Sequence, residues 1–393
     1  MDAPESRQAD PAPEGPDPTE TTSSDPARSS GTLGQVLVIS SLLAVLVVGV
    51  VLYQSRSVID RLVDAESPKV EFDADGHVVG INLEDMAVDD ADLESVGRYP
   101  HLHRLSLAQT QVTDAGLVHL RRAPALRELV LADTAITDQG LAHLSALKQM
   151  RRLYLDRTAI TDEGLVHVVG LKQLRHLTVS GTSLTDDGIE RIKGLKLVYL
   201  HLGQTSISSR SLHHLGAIRS LEMLYLDQTS ITDDALKSLG DLEGLRALGL
   251  HHTDVGNEGV RQLLPLKNLM RLNLSRCRVD HEGVAHLKHL QQLQHVNLAY
   301  CPLGDRAVAH LSELPNLKEL NLSGTQVSDL GLRHLAGCVR LLEVNLSETQ
   351  ITDRGLAYLV QAPSLVRATV RRTEVTPKGI AAYRKSDPRV RLQ

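Results

Sequence analysis

The sequence predicts an α/β solenoid with a parallel inner sheet, outer helices and one N-terminal transmembrane helix. Three observations predict it. A Thr or Cys recurs at Thr110, Thr134, Thr158, Thr182, Thr205, Thr229, Thr253, Cys277, Cys301, Thr325, Thr349 and Thr373, every step being 24 residues except the 23 from Thr182 to Thr205. Apolar residues stand three and five places before it, as Leu107 with Leu105 or Leu250 with Leu248. An uncharged apolar run, Val36 to Tyr53, precedes the array. A fixed internal period of this length marks a stacked repeat.

Each unit reads as strand, turn, helix. Residues two apart share one strand face, so both leucine rows point inward. After the Thr comes a turn and a helical pattern, as in T-D-A-G-L-V-H-L at 113–120, with Thr113 or Asp114 as cap and Leu117 and Leu120 facing the core. Counting back from Thr110, Met86 begins a weaker unit, which brings the array to about thirteen. Composition agrees: there is no Trp and Phe72 is the one phenylalanine, so repeated aliphatics tile the interior.

The flanks divide by composition. Residues 1–31 are rich in Pro, Ser, Thr and acids, too poor in apolar surface to offset chain entropy, and read as disordered. Residues 32–54 are long enough to cross a hydrocarbon core of roughly 30 Å. A cleaved signal peptide would want a short basic leader instead of a long acidic tail. Positive charges flank the run as Arg28 before and Arg56, Arg61 and Lys69 after, which leaves open the side that the repeats face. Residues 55–69 read as a juxtamembrane linker. Residues 70–83 read as a β-hairpin turning on Asp75-Gly76, placed to cover the first unit. Repeats fill 84–376, and 377–393 read as a closing cap.

These repeats resemble the leucine-rich-repeat superfamily in its L-x-x-L-x-L form. The nearest likeness is to the ribonuclease-inhibitor-like and cysteine-containing repeats of F-box proteins, through I-T-D-Q-G-L (136–141), I-T-D-E-G-L (160–165) and I-T-D-R-G-L (351–356). The resemblance implies a horseshoe whose strands line the concave side and whose work is binding. No F-box-like segment precedes the repeats, which weakens a ubiquitin-ligase receptor role.

Several patterns mimic chemistry. His119, His143, His167, His214, His286, His310 and His334 recur in register at least one unit apart, too widely to share a metal. H-E-G-V-A-H at 281–286 spaces its histidines by five, not four, unlike a zinc-protease helix. The row Asp114, Asp138, Asp162, Asp186, Asp233, Asp305, Asp329 and Asp353 offers one carboxylate per unit, so helix capping is preferred to calcium. Cys277 and Cys301 occupy adjacent inward positions, as buried thiols or, in an oxidising space, a disulfide. A formal net charge of −6 argues against nucleic acid. No nucleophile elbow, phosphate loop or isolated carboxylate pair points to an enzyme, and no cofactor is expected.

Binding is expected instead on the strand positions between the leucines, which point out of the concave face. Early units are basic, with Arg104, Arg127, Arg151, Arg152, Arg157 and Arg175. Middle units gather Tyr154, His176, Tyr199, His201, Met223, Tyr225 and His251, the Tyr- and Arg-rich composition of interface anchors. Tyr300 is assigned to the same surface, and Asn273, Asn297, Asn321 and Asn345 to an amide ladder along the sheet. The expected function is membrane-anchored recognition of a protein or peptide, with a glycan-binding envelope adhesin or scaffold as the alternative.

Overall fold

The computed structural model describes residues 56–393. The acidic tail and the apolar run 32–54 lie outside the described residues, and no described helix is long and apolar enough to cross a membrane. Residues 57–393 form one compact unit.

Among the described residues, fifteen strands form one sheet in sequential order. The first two, β1 (Val70–Phe72) and β2 (Val78–Asn82), are the antiparallel hairpin; every later neighbour is parallel. The parallel pairing holds register at one repeat, as Arg271↔His295 and Leu272↔Val296. At the short unit it holds at 23 residues, His176↔Tyr199, so the missing residue falls between helix and strand and leaves the ladder intact. In most of the three-residue parallel strands the central residue is buried and its two neighbours are more exposed, as in Tyr199–His201. The helices across the core are short, and three segments (Asp92–Arg98, Val118–Arg122 and Asp233–Leu239) tighten to 3-10 geometry.

The recurring Thr closes the turn after each strand. Its buried hydroxyl donates to the carbonyl three residues back, Thr134 to Leu131 at 2.6 Å and Thr325 to Leu322 at 2.6 Å. Where Cys replaces it the thiol reaches the preceding unit, Cys277 to Leu250 O at 3.0 Å and Cys301 to Leu274 O at 3.1 Å. All three cysteines are free and buried, and burial pushes the Cys301 thiol up to about 12. The residue just before this position is left-handed throughout, from Asp85 (φ 60°) through Arg157 (φ 52°) to Arg372 (φ 55°). That conformation costs a non-glycine residue roughly 1–2 kcal/mol. The backbone N–H there is held by the next unit, Gln109 to Ala132 O at 2.9 Å for example.

The aspartate row does something other than cap its own helix. Thr137 is the N-cap, its hydroxyl accepting from Gln139 N. Asp114, at the first position of the preceding helix, accepts from Thr137 N (2.8 Å) and Thr137 Oγ1 (2.5 Å). The same bridge joins Asp138 to Thr161, Asp162 to Thr185 and Asp329 to Thr352. Its carboxylate fills the space beside the next unit's glycine, so a Cβ on Gly140 would collide with Asp114 Oδ1. Motif T-D-x-G is therefore a lock between units. At Asn257 only the side-chain bond inverts: Asn257 Nδ2 donates to Asp280 Oδ1 at 2.9 Å, while Asp280 N donates to Asn257 Oδ1 as in the other units. At Asp186 burial raises the carboxyl's pKa, but hydrogen bonds from Ser208 and Ser211 outweigh it and the net direction is down.

Residues 57–64 fold back on the array. Helix α1 (Val58–Asp64) starts at the N-cap Ser57 and buries Ile59. Val58 N donates to Asp92 Oδ1 (2.7 Å), and Asp60 accepts from Arg98 (2.6 Å) and the Tyr99 hydroxyl (2.8 Å). At the other end, helix Pro377–Ser386 packs on helix Asp353–Leu359, and Arg391–Leu392 adds a last strand.

Candidate functional site

On the open face of the sheet, the outward residues flank each strand's buried centre, so neighbouring strands stack them about 4.8 Å apart. In the middle units they form a continuous aromatic patch. His176 stacks on Tyr199 with ring centroids 5.8 Å apart, Tyr199 meets Tyr225 at 5.5 Å, and His201 meets Tyr225 edge-on at 5.6 Å. The backbone is built to admit it. Gly249 follows Tyr225 in register, and a Cβ there would lie 2.7 Å from the tyrosine ring. Burial pushes the Tyr199 hydroxyl up to about 12 and those of Tyr154 and Tyr225 upward, which keeps all three as neutral phenols. Met223 sits beside Tyr199, half-buried. His251 is tethered at the far side, its N–H donating to Asp227 Oδ1 (2.7 Å) and Nδ1 lying 2.8 Å from Ser275 Oγ.

A groove opens on each side of the patch. Toward the first units, one of about 290 Å³ is lined by Arg104, Arg127, Arg151, Arg152, Arg175 and His176, with His103 and Glu128. Toward the last, one of about 380 Å³ runs from Tyr225 to Arg367 over a floor of Leu272, Val296, Leu320 and Val344. Small Ala247, in register with Met223, stands at its head.

The basic residues are not all free charges. Arg152 pairs with Glu128 at 2.7 Å, Arg104 with Glu71, and Arg157 with Asp133. Tyr300 lies off the open face. It occupies the left-handed turn position, with Arg276 4.4 Å above its ring and its hydroxyl 3.1 Å from Glu348. Nor do the asparagines bond across strands as an amide ladder. Each turns its Oδ1 to its own strand: Asn273 accepts from Ser275 N (3.1 Å) and Oγ (2.7 Å), and Asn297, Asn321 and Asn345 accept from the N–H two residues on at 3.1 Å. That local bond fixes the amide's orientation and leaves four Nδ2 groups, among the described residues, with no protein acceptor along the C-terminal groove.

Two open-face residues went unread in the sequence. Asp156 accepts from Ser180 N (2.9 Å) and from the Thr178 hydroxyl, and lies 4.0 Å from His201 Nδ1. Asp227 holds His251. Both stand one outward position beyond the strand, a column the leucine pattern does not mark. The pair Ala247 and Gly249, two small residues where side chains face out, was the available signal for a groove. Asp73, Asp75 and His77 are the one trio among the described residues spaced to share a metal, but all are exposed and Asp73 Oδ1 is taken by the N–H groups of Asp75 (3.0 Å) and His77 (2.8 Å).

The family described as Leucine Rich repeat matches residues 313–336 and 338–360. Those two segments are similar to leucine-rich repeats. The leucine-rich-repeat fold extends well beyond the matched pair. An internalin from Listeria monocytogenes superposes with a TM-score of 0.53 at 22% identity, covering 74% of this chain and 89% of the internalin. A leucine-rich-repeat protein from Leptospira interrogans gives 0.54 at 19% identity, covering 78% of this chain and 88% of its own. Identities this low speak for the fold alone. A comparison with curated protein sequences found no match.

Proposed function

We propose that the protein is a membrane-anchored recognition module that binds a protein or peptide on the open, concave face of its leucine-rich-repeat sheet. The observation that carries this is the aromatic patch His176–Tyr199–Tyr225–His201, set between two grooves. A solvated strand face has no use for four packed rings held half out of water. Tyrosines in such a setting offer apolar area and a directed hydroxyl at little entropic cost.

The test is a peptide selected from a display library by the full chain held in nanodiscs. Against that peptide, Tyr199→Ala with Tyr225→Ala should lower affinity by at least about 30-fold, equivalent to about 2 kcal/mol. The melting temperature should stay within a few degrees, since both side chains face out. Unchanged affinity would remove the site. A glycan ligand is a second reading, favoured by the row of four free Asn Nδ2 donors. Binding of a neutral oligosaccharide that Asn297→Leu with Asn321→Leu abolishes would establish it instead.

Anchoring rests on residues 32–54, an uncharged run of spanning length. The chain should then stay in the membrane pellet after alkaline carbonate washing, and deletion of 32–54 should release it. Protease added to intact cells would assign the side, with cleavage only after lysis placing the repeats inside.

A further inference from the structure

We infer that the N-terminal groove is a docking site for a short acidic segment of a partner protein, its carboxylates received by Arg127, Arg151 and Arg175. This rests on the open-face binding proposed for the sheet and specifies the chemistry of one part of it.

The three arginines occupy equivalent places just before successive strands. Their backbones are bonded to one another: Arg151 N donates to Arg127 O at 2.7 Å and Arg175 N to Arg151 O at 2.9 Å. The side chains therefore leave the sheet at strand spacing, about 4.8 Å apart. Like charges stacked on neighbouring strands repel. Several arginines in repeat register elsewhere have an acid one unit away. Arg152 has Glu128 (2.7 Å), Arg367 has Glu343 (2.9 Å) and Arg372 has Glu348 (3.0 Å). Even in this same edge column, Arg246 has Glu222 at 3.6 Å. Among the described residues, Arg127 and Arg151 have no such partner, and Arg175 turns one nitrogen to the carbonyls of Lys172 (3.2 Å) and Leu174 (2.8 Å).

The pocket beside them has a second unfilled valence. Nδ1 of His176 is buried without a hydrogen-bond partner. Its imidazole pKa is lowered, first by burial and then by the Arg152 charge, and that of His103 by burial and Arg127. Five arginines line the groove against one carboxylate, Glu128. A ligand that brings carboxylates supplies what the column lacks, in the bidentate geometry that guanidinium favours.

The basic run is short, and this decides the ligand class. Two strand spacings separate its ends, about 10 Å, and the column continues as Val198 and Glu222. Asp156 and Asp227 stand on the same open face, beyond the far ends of the strands. A uniformly charged polymer, such as nucleic acid or a heavily sulfated glycan, would run from the arginines onto these carboxylates. An extended peptide places alternate side chains about 7 Å apart, so two or three acidic residues fill the run. The next residues of the bound segment then meet His176 and Tyr199, stacked 5.8 Å apart.

The experiment is fluorescence anisotropy with the full chain in nanodiscs at about 0.15 M salt, where loose surface attraction is screened. The probe is a short fluorescein-labelled peptide of alternating Glu and Gly, with its Gln–Gly counterpart as control. The Glu peptide should bind saturably and the Gln peptide should not. Arg127→Ala with Arg151→Ala should weaken binding at least about tenfold, while Arg121→Ala with Arg122→Ala, on the helix side, should leave it unchanged. Absence of Glu-peptide binding, or equal binding by the Arg127/Arg151 variant, overturns the inference. So does a heparin fragment that binds where the Glu peptide does not. Tyr199→Ala with Tyr225→Ala separates the two readings. If it abolishes the library-selected peptide while wild type ignores the Glu peptide, the acidic-segment inference fails and the aromatic site stands. If the selected peptide survives that change, the aromatic site fails, and the Arg127/Arg151 result alone judges the groove.

Discussion

Replacing Gly140 by Ala should destabilise the repeat domain by about 2–4 kcal/mol, and the loss should shrink when Asp114 is also replaced by Ala. Ordinarily Gly→Ala in a helix is favourable by up to about 1 kcal/mol, through helix propensity and a less flexible unfolded chain. Here the added methyl meets Asp114 Oδ1. That carboxylate cannot swing aside cheaply, because Thr137 N and Thr137 Oγ1 hold it at 2.8 and 2.5 Å. Either the lock breaks, stranding the Thr137 donors at about 1–3 kcal/mol, or the two helices move apart. Asp114→Ala alone breaks the same lock but empties the space, so the double variant is far better than the sum of the singles. Guanidinium unfolding of the four proteins measures the coupling, expected at about 1–3 kcal/mol. Strict additivity, or a stable Gly140→Ala, would show that the carboxylate and the glycine are not one device.

That lock shows where the sequence was legible. The period, the inward aliphatic residues and the Thr/Cys row recur along the array, so one line of sequence exposes them. Asp114 and Gly140 also repeat, but what links them is a contact across 26 residues, between units instead of within one. Read along the chain, Asp looks like a cap for its own helix; only the stacking shows it holding the Thr that caps the next. The asparagines misled for the converse reason. Their 24-residue spacing suggested a bond between strands, yet each amide satisfies its own strand two residues on, a local Asx turn that spacing cannot reveal. The aromatic patch was readable because burial patterns alternate so regularly that outward positions can be counted. The groove toward the last units was harder to read, since at its head it depends on a small residue, Ala247, as much as on the side chains present.

Ile59→Asp should open the N-terminal end of the array and leave its far end untouched. The segment had a readable start signal, Ser57 followed three residues on by Asp60, which is the capping-box pattern. Ile59 is fully buried, and α1 rests on the 3-10 segment Asp92–Arg98. A carboxylate in that apolar seat costs several kcal/mol, more than a seven-residue helix gains from packing, so α1 should detach. Leu93 and Val96, both fully buried, would then meet water. Repeats are stabilised through nearest neighbours, so the disturbance should fade along the stack. Hydrogen exchange is expected to lose protection across 58–106 while strands Arg271–Asn273 and Glu319–Asn321 keep theirs. Ile59→Val, which keeps the seat filled, should cost only about 0.5–1.5 kcal/mol and leave the exchange pattern as in wild type. A uniform loss of protection would mean that the stack unfolds as one body, and no loss would mean that α1 seals nothing.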